Sequence, residues 1–245
     1  MTPMISASPL VYFGIPLLAA AVIGLVAWGA ARAEHALGTP ERAPARAAWT
    51  VLAGGLWAGF GLLVAQSGVL GHFASRPPPL LLFLVLSALA TIGLARSRFG
   101  ERLLRGLPLW ALIAGQAFRL PLELVLHRAA RDGTMPVEMS FSGYNFDILS
   151  GASAVLVALA LAYTAVGPWL AWLWNVLGVL LLLNIVGIAI AATPTFHAFG
   201  PDHLNVWITQ PPFVLLPSVL VMAALFGHLL VFRKLLQLAR ERLKA

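Results

Sequence analysis

The chain contains no cysteine. Disulfide staples, Cys-ligated clusters and thiol nucleophiles are therefore excluded, and redox chemistry says nothing about the compartment. Lysine is nearly missing: Lys234 and Lys244 are the only two, and both belong to the C-terminal tail. Charge is scarce as well, at 10% of 245 residues, against roughly 25% in soluble domains. A water-facing surface cannot be built from so few charges. With 60% hydrophobic residues and a mean hydropathy of +0.89, most of the outer surface must face lipid. The formal net charge of +7 looks like a nucleic-acid signal, but its distribution follows topology, and no nucleic acid is expected as a partner.

Apolar runs are what the chain has in plenty. Many reach roughly 18 to 25 residues, the length that crosses a bilayer as helix. Lipid offers the backbone no hydrogen-bond partners, so such runs must be helices. The pattern predicts spans at 9–31, 47–71, 78–95, 107–127, 148–166, 169–192 and 211–232. The expected fold is all-α: one polytopic domain over 1–245 with seven transmembrane helices, and the lipid bilayer as its partner. Trp28, Trp49, Trp110, Trp169, Trp172 and Trp174 fall near span ends on one side, where aromatic belts sit. Ala31-Arg32-Ala33 resembles a signal cleavage site, but Met1–Pro9 carries no basic residue and the apolar run is long. The first span is therefore expected to be retained.

Arg and Lys counts set the orientation. Twelve lie in the 1–2 loop (Arg32, Arg42, Arg46), the 3–4 loop (Arg96, Arg98, Arg102, Arg105) and the tail (Arg233, Lys234, Arg240, Arg242, Lys244). The opposite side holds three, Arg76, Arg128 and Arg131. The positive-inside rule then places the N-terminus outside and the C-terminus in the cytosol.

Span 4 carries the strongest polar pattern: Gln116, Arg119, Glu123 and His127 at spacings of three, four and four. At about 100° per residue these fall on one helix face. Arg119 and Glu123 are expected to pair at i, i+4, and an ionisable residue inside a span is a functional candidate. The competing reading is an ion pair that only packs helices. Pro121 frees the carbonyl of Ala117 nearby. The loop Ser140–Asp147 leads into span 5. Asp147 reads either as a helix N-cap or, with Tyr144 and Asn145, as part of a lid folded toward Arg119. His72, His127, His197 and His203, with Asp147 and Asp202, supply metal-ligand chemistry, but their spacing is poor, so no metal and no other cofactor is expected. Asn184 in span 6 reads as a ligand contact or interhelical glue. Asn175 falls on the opposite helix face, His228 reads as a packed histidine, and Pro212 and Pro217 suggest a bent last helix.

The stretch Phe118–His127, then Met135-Pro136-Val137-Glu138-Met139, Asn145-Phe146-Asp147-Ile148, Asn175-Val176-Leu177-Gly178 and Asn184, resembles a segment of a group of uncharacterised bacterial multi-span membrane proteins. The resemblance covers about the second half of the chain. It implies a bacterial inner membrane location and marks site positions, but carries no activity. Other seven-span families fit poorly. A retinal protein needs a lysine in the last predicted span. Sugar transporters of the SWEET type have an inert fourth helix and a repeat. Ceramidase-type hydrolases need His-x-x-x-His, and rhomboid proteases need Gly-x-Ser-Gly, which Gly151-Ala152-Ser153-Ala154 misses. The sequence therefore predicts binding of a small polar or anionic ligand, for transport or sensing, in an outward-facing pocket. That pocket would be built from Gln116, Arg119, Glu123, His127, Tyr144, Asn145, Asp147 and Asn184. Two alternatives stay open. One is an enzyme at the outer face using Glu123, His127 and Asp147. The other is a structural subunit of a membrane complex, and protein partners or homo-oligomers are left open with it.

Overall fold

The computed structural model describes residues 7–244, which form helices and no strands. Along the chain run α1 (Pro9–Ala36), α2 (Ala43–Gln66), α3 (Pro79–Arg96), the short α4 (Arg98–Gly106), α5 (Leu109–Ala114) and α6 (Arg119–Arg131). They are followed by α7 (Ile148–Tyr163), α8 (Trp169–Ala191) and α9 (Val221–Arg242). Proline opens several of them: α1, α2 and α3 each carry one in the first turn, where its missing N–H costs nothing. Gly68, at φ +74°, follows the end of α2. α5 and α6 are one rod, joined by the 3-10 turn Gly115–Phe118. The turn has a local cause: Pro121 cannot donate to the carbonyl of Ala117, so the α-ladder is broken there.

Six rods are long and apolar enough to cross a membrane: Pro9–Ala36, Pro40–Gln66, Pro79–Arg96, Leu109–Arg131, Trp169–Ala191 and Leu216–Arg242. α7 is apolar too, but has 16 residues. At 1.5 Å per residue it covers about 24 Å, less than the ~30 Å hydrocarbon core. Large apolar side chains are exposed all round the bundle, among them Leu17, Leu56, Leu63 and Leu156. α2 buries only Ala43, Gly61 and Ala65. Such a surface suits lipid and not water.

The two larger apolar cores occupy the two ends, beside a small third one of Ala65, Leu70, Phe83 and Val214. Val11, Ile15, Leu122, Leu126, Met135, Met139 and Trp207 fill the loop-rich end. Ala30, Ala33, Leu103, Ile113, Trp174, Phe226 and Leu235 fill the arginine-rich end. Along the α5–α6 rod the change from one to the other falls between Ile113 and Leu122, and Arg119 lies in that interval.

Several expectations need correction. The last helix runs from the π turn Leu216–Leu220 through α9 to Arg242, where 211–232 was predicted. Pro217 lies in the π turn and Pro212 precedes the helix. Lys234 is thus inside the helix. It sits at the arginine-rich end, and Nζ donates to the carbonyl of Leu104 at 2.7 Å. Trp174 is not a belt residue: it is 5% exposed, and its Nε1 donates to Ser153 Oγ at 3.0 Å. The loops at the other end pack in order. Trp207 and Ile208 are buried, Asn205 donates to the carbonyl of Ala189 at 2.9 Å, and His203 meets Glu138 at 2.7 Å.

Candidate functional site

Close helix approach sets the site geometry. Gly151, in the first turn of α7, faces the backbone of Arg119 and Leu120 so closely that any Cβ there would collide with it. α7 therefore begins at the level of Arg119, halfway along the α5–α6 rod. That depth puts Asp147, the residue preceding α7, beside the guanidinium. Gly178 of α8 clears space for the ring of His228, and Gly227 of α9 does the same for the amide of Gln116.

Arg119 is 1% exposed and Asp147 is 4% exposed. Their contact is bidentate: Arg119 Nε donates to Asp147 Oδ2 at 2.7 Å, and a second terminal nitrogen pairs with Oδ1. The remaining terminal nitrogen points to His228 Nε2 at 2.7 Å. A guanidinium has donors only, so Nε2 must accept, which leaves the ring proton on Nδ1. Nδ1 then donates to Asn175 Oδ1 at 2.8 Å, and Asn175 Nδ2 donates to the carbonyl of His228 at 3.2 Å. Asn175 and His228 are both fully buried.

The chain of polar groups continues toward the loop-rich end. Asn145 Oδ1 accepts from the backbone N–H of Asp147 at 3.0 Å. Its Nδ2 donates to Glu123 Oε2 at 2.8 Å and to the carbonyl of Met139 at 3.0 Å. Glu123 is 1% exposed. It forms no ion pair among the described residues, whose ion pairs all involve other carboxylates. One hydrogen-bonded path thus runs Asn175, His228, Arg119, Asp147, Asn145, Glu123. It carries one cation and two carboxyl groups.

The expected Arg119–Glu123 pair is absent. The two residues share a face, as their spacing predicted, but Asp147 takes the guanidinium with two hydrogen bonds, which the i, i+4 geometry does not match. Asp147 makes no side-chain cap of α7. The other predicted residues lie at the edges of this path. Gln116 Nε2 donates to the carbonyl of Ala224 at 3.2 Å, and its Oε1 has no hydrogen-bond partner among the described residues. His127 stacks on Phe141 and meets Ser142 Oγ at 3.0 Å. Tyr144 is exposed, and its carbonyl accepts from Asn184 Nδ2 at 2.8 Å, which pins the loop to α8. His72 and His197 lie exposed. Among the described residues no three His, Asp or Glu side chains gather as a metal would require.

Sequence reasoning left out two members of the path, His228 and Asn175. Helix spacing separates Asn175 from Asn184 and gives no reason to join it to a histidine on another helix; a glycine three residues after Asn175 was the available sign of close approach. Glu34 was missed altogether. It is fully buried and accepts from Arg46 Nε at 3.1 Å, Arg102 Nε at 2.6 Å and Thr39 Oγ1 at 2.7 Å. It clamps the α1–α2 connection to α4 at the arginine-rich end.

No family of known proteins, no curated protein and no solved structure matches this chain. The candidate site therefore rests on its own geometry.

Proposed function

We propose that the protein crosses a bacterial inner membrane seven times, N-terminus outside, and binds a proton or small cation within the membrane for transport or sensing. The observation that carries this is Glu123: fully buried, hydrogen-bonded by Asn145, and without an ion-pair partner. Arg119 is already neutralised by Asp147. With both carboxyls ionised the path holds one negative charge in excess, so the sign the site calls for is positive. An uncompensated charge in such a place costs several kcal/mol, and a proton or a cation relieves it. An anion at Arg119 would first have to displace Asp147, which makes the anionic ligand suggested by the sequence the weaker choice.

In this reading α7 and the loop 133–147 complete the seventh crossing together. Irregular backbone at membrane depth is tolerated where protein covers it, and Asn145, Met139 and Met135 are buried. The enzyme alternative is less well supported, because Asp147 is held by Arg119 and His127 by Ser142. The test is a thermal-shift series on the purified protein with sodium, potassium, choline and spermidine against chloride, acetate and phosphate. At least one cation is expected to raise the midpoint of the wild type and fail to do so in Glu123→Gln, with a parallel loss of proton release measured by a pH dye. A shift produced by an anion and retained in Glu123→Gln would overturn the proposal.

A further inference from the structure

A second site lies away from this path. α1 meets α6 near one end and α4 near the other, and between these contacts it stands off from α9. The gap is a cavity of about 740 Å³ between α1, α5 and α9, within the roughly 300–1,000 Å³ of small-molecule sites. Leu112, Phe226 and Leu230 form its inner wall. Leu25, Trp28 and Trp110 line it and are exposed, so it opens sideways toward lipid. At the arginine-rich end its rim carries Arg32 and His35. Arg32 lies 5.6 Å from the centre of the Trp28 ring and forms no ion pair among the described residues. The neighbouring cavity, of about 520 Å³ on the other side of α1, also has an arginine, Arg46, but its guanidinium is paired with Glu34. Of these two cavities only the first combines an apolar lateral chamber, two exposed tryptophans at its mouth and, at its rim, an arginine with no ion pair among the described residues.

We infer that the cavity between α1, α5 and α9 binds an anionic phospholipid from the surrounding leaflet, an acyl chain inside and the phosphate on Arg32. Basic pockets between transmembrane helices take anionic headgroups through this chemistry. Gly115 lines the chamber, and a Cβ there would meet nothing within 4 Å. Gly115→Leu is therefore expected to fill part of the chamber, its Cβ causing no clash.

The test is native mass spectrometry of the delipidated full-length protein with dioleoyl phosphatidylglycerol and dioleoyl phosphatidylcholine. The wild type is expected to bind the phosphatidylglycerol about fivefold more tightly, the effect of one arginine beside a headgroup with a net negative charge, which the choline cation of the other lipid cancels. Arg32→Gln should abolish that preference, and Arg98→Gln, which removes an exposed arginine outside the cavity, should keep it. Gly115→Leu should weaken both lipids while the thermal midpoint holds. Equal binding of the two lipids by the wild type overturns the inference. So does a preference lost equally in Arg98→Gln, or full binding by Gly115→Leu.

Discussion

At the residue scale the decisive fact is which acid holds Arg119. A carboxylate whose two oxygens meet two guanidinium nitrogens gains both charge and geometry, and Asp147 provides this from outside the helix while Glu123 stands one turn away. Asp147→Leu should strand a buried cation and cost about 3–5 kcal/mol, whereas Arg119→Leu with Asp147→Leu should recover much of that loss. Arg119→Leu with Glu123→Leu should show the smaller coupling. Unfolding midpoints of the singles and both doubles decide it. A double variant of Arg119 and Asp147 no more stable than its worse single would remove the pair from the account. Glu34 behaves differently, because its arginines are 36% and 28% exposed and can turn to water once released. Glu34→Gln should therefore cost only about 1–3 kcal/mol, read as a lowered thermal midpoint; an unchanged midpoint would show that the clamp contributes nothing.

At the scale of elements, helix depth is set by glycine. α7 reaches Asp147 to the level of Arg119 because Gly151 lets two backbones touch. Gly151→Ala should force α7 away from the α5–α6 rod, at about 1–3 kcal/mol, and loosen the Asp147 contact with it. Gly187→Ala in α8 is the control, since a Cβ there meets nothing within 4 Å. Equal midpoints for the two variants would mean that close packing does not position the site. The break at Gly115–Phe118 belongs to this scale as well. It follows from Pro121 and sets Gln116 out of line with Arg119, toward α9 and the lateral cavity.

Across the whole molecule, the twelve-to-three division of basic residues and the two larger apolar cores define two unlike ends. Reporter fusions after Arg98 and at the C-terminus should report cytosol, and fusions within 133–145 and 198–206 should report the outside. A cytosolic signal from 133–145 would invert the molecule and place Glu123 nearest the wrong compartment. The Glu123 end of the path would then lie toward the cytosol, and the lipid cavity would face the outer leaflet.

The helical membrane class and the approximate places of six membrane-length apolar helices were legible in the chain alone, because hydrocarbon demands long apolar runs with every backbone group bonded internally, and both demands are local. The sequence also marked Arg119 and Glu123, since charge inside a span is costly enough to stand out, and Asn145 and Asp147, since they belong to a polar loop that leads straight into an apolar span. The partner of each charge was decided only in three dimensions. The i, i+4 rule describes an isolated helix, and it lost to an aspartate that the contact of Gly151 with the backbone of Arg119 and Leu120 brings within reach. His228 and Asn175 looked like separate packing residues until α8 and α9 met across Gly178. Glu34 lay at the end of an apolar run, with nothing local to say that arginines from α2 and α4 would converge on it. Pairing inside a membrane depends on which helices touch and at what depth, and periodicity along one helix does not contain that information.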